Sequence, residues 1–145
     1  MRWLYLTSVW IHVMAAMTWI GGMLLFVLAV MPWMRTLEES SRERYLRDFG
    51  RRFGRVMWTS FAVLAVTGTT ILWLRGVTLT TLIDPRWRST PFGHLVLVKI
   101  TLFLAAALIG VVHSRQIAPR QARWLGRLSL VLGVAIVAIA VRLVR

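Results

Sequence analysis

Hydrophobic residues occur in four long runs, and the polar segments between these runs hold most of the charged residues. The runs cover residues 4–31, 56–74, 93–112 and 128–141, and the fourth is the shortest and almost purely aliphatic. Because roughly 20 apolar residues cross the hydrocarbon core of a bilayer as a helix, these runs predict membrane spans. The pattern therefore predicts an all-α protein, a four-helix transmembrane bundle that forms a single membrane domain over residues 1–145.

The composition agrees with a membrane protein. Of the 145 residues, 58% are hydrophobic, whereas soluble domains contain roughly 45–50%. The net charge of +13 comes mainly from arginines in short loops beside the apolar runs, a pattern typical of membrane topology and not of nucleic-acid binding. The chain contains no cysteine, which excludes disulfides, thiolate metal sites and a cysteine nucleophile. The first run is too long for the core of a signal peptide, so we expect it to be retained.

Arginines are distributed unequally between the two sides of the predicted bundle. The segments after the first and third runs contain seven and four arginines, eleven together, and the opposite side contains six. Because basic loops stay in the cytoplasm, both termini are expected on the outer side of the plasma (inner) membrane. The two basic cytoplasmic loops are expected to contact anionic lipid headgroups. In the first of them, Leu46, Phe49 and Phe53 have helical spacing and predict a short amphipathic helix on the headgroups.

Two ionisable residues, His12 and Lys99, lie inside apolar runs. Such residues are rare in membranes and are candidates for function. Counted from the outer side, they lie about nine and about six residues deep, which at about 1.5 Å per residue are similar depths. We therefore expect them to be neighbours in the outer half of the bundle. His94 and His113 lie at the two ends of the third run and are expected to be interfacial.

Methionines are frequent in the first run and include Met14, Met17 and Met23. Thioether sulfur selects Cu(I), and a neutral imidazole suits copper or haem iron. Methionine also fills irregular gaps in apolar cores, so these residues are either metal ligands or packing residues. Met23 shares a helix face with His12 but lies about 16 Å from it along the axis, too far for one coordination sphere.

Several segments, taken in order, resemble the copper-resistance protein D (CopD) family. They are Trp10-Ile-His-Val-Met-Ala-Ala-Met-Thr-Trp-Ile-Gly-Gly22, Val66-Thr-Gly68, Thr90-Pro-Phe-Gly-His-Leu-Val-Leu-Val-Lys99, and the stretch from Lys99 to His113 followed by Ala118-Pro-Arg120. The resemblance implies a four-helix inner-membrane protein associated with copper uptake or tolerance. More distantly, His12 and Lys99 are similar to the first-span histidine and third-span lysine of HemJ-type protoporphyrinogen oxidases, whose histidine is tied to b-type haem.

Three hypotheses follow. The first is a CopD-like protein that binds or transports copper, with His12 as the principal ligand and the sulfurs of Met14, Met17 and Met23 assisting. This hypothesis is compatible with a periplasmic copper-binding protein as partner and with a homo-oligomer. The second is a haem-b redox protein or porphyrin oxidase, with His12 as axial ligand and Lys99 near a propionate or at the second axial position. The third is an accessory subunit of a larger membrane complex. Catalysis is expected only under the second hypothesis.

Overall fold

The computed structural model is helical in the part that it describes, which comprises the backbone of residues 1–114 and 119–144 and the side chains of residues 1–112 and 127–143. The elements are α1 (Arg2–Leu25), a π-helical segment (Phe26–Val30), α2 (Met31–Met34), α3 (Glu39–Leu74), α4 (Leu79–Ile83), α5 (Pro85–Arg88), α6 (Pro91–Ser114) and α7 (Pro119–Val144). The described residues form no strand, which confirms the all-α prediction.

Within the part of the chain that the structure describes, three stretches are long and apolar enough to cross a membrane, namely Arg2–Met34, Glu39–Leu74 and Pro91–Val112. They contain the first three predicted spans. The fourth predicted span lies within α7, and part of that helix has side chains outside the described residues. The loop predicted before it is partly helical, because α7 begins at Pro119.

The chain divides into two compact units, Met1–Leu74 and Arg75–Arg145. In the first unit, α1 packs along α3. In the second unit, α6 packs along α7, and α5 contacts the beginning of α6. Each unit is thus built around one helix pair.

The pairing of α1 with α3 buries one narrow face of each helix. On α1 the buried residues are Ser8, Ala15 and Trp19, and the Trp19 ring lies 4.7 Å from that of Phe61 on α3, measured between centroids. The remaining faces of α1 are apolar and exposed. Lipid covers such apolar faces at no cost in free energy, whereas their exposure to water is unfavourable.

The helix that begins as α1 continues past the predicted end of the first span at residue 31. Pro32 has no backbone N–H, and its ring crowds the carbonyl four residues earlier, so a regular α-helix is disfavoured there. The π-helical segment accommodates the proline, because the N–H of Met31 donates to the carbonyl of Phe26, five residues earlier. The chain therefore remains helical to Met34.

The predicted short amphipathic helix is instead the first half of α3. No proline interrupts Glu39–Leu74, and the two glycines in the polar half, Gly50 and Gly54, cost only about 1 kcal/mol each in a helix. The rings of Phe49 and Phe53 stack on Phe26, with centroids 5.4 and 5.8 Å away. The polar half is thereby held against the continuation of α1.

The segment between α3 and α6 contains turns and two one-turn helices that side chains cap. The Thr78 hydroxyl accepts the N–H of Thr81 at the start of α4, and Asp84 accepts the N–H of Arg86 in α5. Thr90 caps α6 by accepting the N–H of Gly93 at 3.0 Å. Such caps satisfy N–H groups that a helix start leaves without partners.

Candidate functional site

His12 lies on the face of α1 that packs against α3, and its ring is half-buried. Its Nδ1 atom is 2.8 Å from the hydroxyl oxygen of Thr67, a buried residue 55 positions away in the sequence. The next residue, Gly68, lies beneath the ring, because a Cβ atom at that position would be 3.4 Å from the Cε1 atom of His12. One hydroxyl and one glycine of α3 thus hold the imidazole from two sides.

The direction of the hydrogen bond follows from a second contact of Thr67. Its hydroxyl oxygen is 2.6 Å from the carbonyl oxygen of Val63, a distance typical of O–H···O bonds. Two oxygens this close repel unless a hydrogen lies between them, and a hydroxyl has only one proton to donate. Thr67 therefore donates to Val63 and accepts from the Nδ1–H of His12. In a neutral ring with this proton, the lone pair is on Nε2.

Thr67 is the site residue that sequence reasoning missed. The small and hydroxyl residues of the second span, Thr67 and Gly68 among them, predict close helix contact and interhelical hydrogen bonds, but the sequence does not assign the Thr67 hydroxyl to His12. The sequence feature that indicates such a residue is a threonine followed by glycine inside an apolar span. The glycine lets a neighbouring ring approach, and the hydroxyl can form a hydrogen bond with that ring. Histidines that bind metals usually have their other nitrogen held by such a partner.

Replacing Thr67 by valine removes the acceptor for Nδ1–H at almost constant side-chain volume. We expect Thr67→Val to lower the free energy of unfolding by about 1–3 kcal/mol, because a half-buried donor loses its bond. The ¹⁵N chemical shifts of the His12 ring should also depart from those of the Nδ1–H tautomer. Thr67→Ser, the matched control, keeps the hydroxyl and should retain the wild-type shifts. Unchanged ring shifts in the valine variant would contradict the inference that Thr67 holds the Nδ1–H of His12.

The described residues contain no group of three or more His, Cys, Asp or Glu side chains able to hold a metal ion. Met14 and Met17 are 45% and 63% exposed on outward faces of α1, away from the face of His12. Met23 is half-buried on the face of His12 but lies about 16 Å along the axis. The structure does not gather these methionines around His12, and their role as ligands stays a prediction.

The other ionisable candidates belong to the second unit. Lys99 is half-buried near the middle of α6, and His94 is exposed at the beginning of that helix. The side chain of His113 lies outside the described residues. The pairing of Lys99 with His12 is a relation between the two units and stays a prediction.

Comparison with known proteins adds an independent observation. The family model for copper resistance protein D (CopD) matches residues 47–143, more than half of the chain. The matched range contains Thr67, Gly68 and Lys99 but begins after His12. An uncharacterized protein of Aquifex aeolicus (strain VF5) is 28% identical over 142 residues, which cover 92% of this chain and 90% of the relative. No solved structure matches the chain significantly.

Proposed function

The chain belongs to the copper resistance protein D (CopD) family, and we propose that it binds copper inside the membrane and passes it across, with Nε2 of His12 as the principal ligand. The observation that carries this proposal is the hydrogen bond from His12 to Thr67 at 2.8 Å. This bond fixes the ring against α3 and assigns the remaining lone pair to one nitrogen. A neutral imidazole in that state is a suitable ligand for a borderline or soft ion.

Methionine sulfur is the second kind of donor in this proposal. Cu(I) favours thioethers, and Met23 shares the helix face of His12. Because about 16 Å separates the two along the axis, they act as successive sites and not as one coordination sphere. Met14 and Met17 point outward from the helix pair, so they assist only where a second copy of the chain or another helix packs against that face.

The proposal includes four spans with both termini outside, and with residues 35–55 and 114–127 in the cytoplasm. The excess of arginines in these two segments supports this orientation.

Because the chain has no cysteine, single introduced cysteines report the topology directly. In intact cells, a membrane-impermeant maleimide should label Thr80→Cys and leave Ser40→Cys unlabelled until the cells are broken. The reverse labelling pattern would overturn the orientation. A periplasmic copper-binding protein, if one delivers the ion, then docks near residues 76–90.

One experiment tests the function against its competitors. The protein is purified in detergent, titrated with Cu(I) under reducing conditions, and its oxidised and reduced absorption spectra are recorded. We expect saturable copper binding without a Soret band. A reducible Soret band that disappears in His12→Ala would establish haem b at His12 instead. Absence of both ligands, with unchanged copper accumulation in cells that lack the protein, would favour an accessory subunit of a larger complex.

A further inference from the structure

The first half of α3 presents a stripe of four arginines on one face. Arg44, Arg47, Arg51 and Arg55 follow one another at intervals of three, four and four residues, so they lie within about 80° around the helix. All four are exposed. The centre of this arginine stripe is about 180° from Phe49 and Phe53, the residues that pack on Phe26. The stripe therefore faces directly away from α1 and its continuation.

Most of the charge of the arginine stripe is not neutralised within the helix. In residues 39–55, which the structure describes completely, the ion pairs are Arg42 with Glu39 at 3.6 Å and Arg51 with Asp48 at 2.5 Å. Arg44, Arg47 and Arg55 therefore have no acidic partner in this segment. Arg51, Arg52 and Arg55, together with Asp48, line an open depression of about 560 Å³. Its lining is suited to an anion.

The opposite side of the same hairpin end is apolar. Leu25, Leu28 and Trp33 are 61%, 72% and 52% exposed, and they lie at the end of α1 and on its continuation, beside the polar half of α3. The ring of Trp33 contacts that of Tyr45, with centroids 5.8 Å apart. A helix pair with one basic side and one apolar side has the composition of a structure that lies in the membrane interface.

The length of α3 exceeds the thickness of the hydrocarbon core, so its polar half lies outside that core. The 36 residues of α3 measure about 54 Å, whereas the hydrocarbon core is about 30 Å thick. Residues 56–74 already fill that core. If the polar half extended straight into water, the exposed leucines beside it would lose their apolar surroundings.

We propose that the hairpin end formed by residues 24–34 and 44–55 lies in the headgroup layer and binds anionic phospholipid. In this arrangement Leu25, Leu28 and Trp33 face the acyl chains, and the arginine stripe binds lipid phosphates. Guanidinium groups bind phosphate oxygens in bidentate fashion. Tryptophan and tyrosine favour this depth. Nucleic acid could bind the arginines but would leave the leucines in water, so a lipid surface fits both sides.

The first test measures lipid binding to the full chain by native mass spectrometry, with phosphatidylglycerol titrated against phosphatidylcholine. Removing two stripe arginines that have no acidic partner, Arg47→Gln with Arg55→Gln, should lower the affinity for phosphatidylglycerol at least tenfold, since each arginine near an anionic surface contributes roughly a fivefold factor. Asp48→Asn with Arg51→Gln leaves the net charge unchanged and should have a much smaller effect. Arg86→Gln with Arg88→Gln removes the same charge elsewhere and should leave binding unchanged.

Two outcomes of this titration would overturn the proposal. One is wild-type phosphatidylglycerol affinity in the Arg47→Gln, Arg55→Gln variant. The other is an equal loss of affinity in the Arg86→Gln, Arg88→Gln control, because total charge and not the arginine stripe would then decide binding. Circular dichroism of each variant checks that the helices persist.

A second test measures depth in the membrane. A nitroxide on Leu28→Cys, in a chain without other cysteines, should be accessible to oxygen and protected from a water-soluble nickel chelate in vesicles containing phosphatidylglycerol. The Arg47→Gln, Arg55→Gln background should raise its accessibility to the nickel chelate. High nickel accessibility in the otherwise unchanged chain would show that this end stands in water and would overturn the proposal.

Discussion

His12→Ala should lower the affinity for Cu(I) by at least about a hundredfold. Removing groups that only orient a metal ligand lowers metal affinity by about 10–100-fold, so removing the principal ligand should lower it by at least the same factor. The measurement is a competition titration with a chromophoric Cu(I) chelator in detergent. His94→Ala is the matched control, because that histidine is exposed at the beginning of α6, and the affinity should be retained.

The alanine variant should remain folded. Thr67 keeps its own hydrogen bond to the carbonyl of Val63 when the imidazole is removed, so its proton keeps a partner. We expect the free energy of unfolding to fall by about 1 kcal/mol, the net contribution of one hydrogen bond. Undiminished copper affinity in folded His12→Ala would refute the proposed site. The ¹⁵N ring shifts of His12 in Thr67→Val test the local geometry independently of copper.

Gly93→Ala should have the largest effect on stability. A Cβ atom at this position would be 2.2 Å from the carbonyl oxygen of Trp87 and 3.0 Å from the hydroxyl of Thr90. The contact with the Trp87 oxygen is a backbone overlap, so the turn between α5 and α6 must open and the cap of α6 must be lost. We expect a loss of about 2–4 kcal/mol, from the cap together with backbone strain. Thermal unfolding in detergent measures it.

Gly21→Ala is the matched control for this substitution. Apart from its chain neighbours and the backbone of its own helix turn, no atom lies within 4 Å of a Cβ atom at Gly21, so alanine should be neutral or slightly stabilising in α1. A second variant, Thr90→Val, removes only the hydroxyl that caps α6 and should cost about 1 kcal/mol. If Gly93→Ala unfolds at the wild-type temperature, the close packing of α5 on α6 is contradicted.

The same geometry explains a segment that sequence reasoning treated as part of the family resemblance. In Thr90-Pro-Phe-Gly-His94, the threonine hydroxyl accepts the N–H of Gly93 and donates to the carbonyl of Trp87 at 2.6 Å. Proline occupies the first helical position, where its missing N–H has no consequence. The segment therefore builds the start of α6, and Lys99 follows two turns later.

Much of the fold was predictable from the chain alone, because hydrophobicity is a local property. A run such as residues 4–31 has few alternatives to a membrane helix, since lipid satisfies no backbone hydrogen bonds. The all-α class and the CopD family followed from such runs and from the quoted segments. The continuity of α3 was missed because the change from basic to apolar residues at Arg55 resembles a boundary. Helix formation, however, depends on the absence of breakers and not on polarity.

For the site, the sequence by itself determined that His12 lies at an unusual place, an ionisable ring in an apolar span. Only the tertiary structure decided that Thr67 holds its Nδ1–H, that Gly68 lies beneath the ring, and that Met14 and Met17 point away. The physical reason is that α1 is apolar on every side. Hydrophobic periodicity therefore does not indicate which face packs, and the rotation of α1 about its axis is decided by close contact with α3.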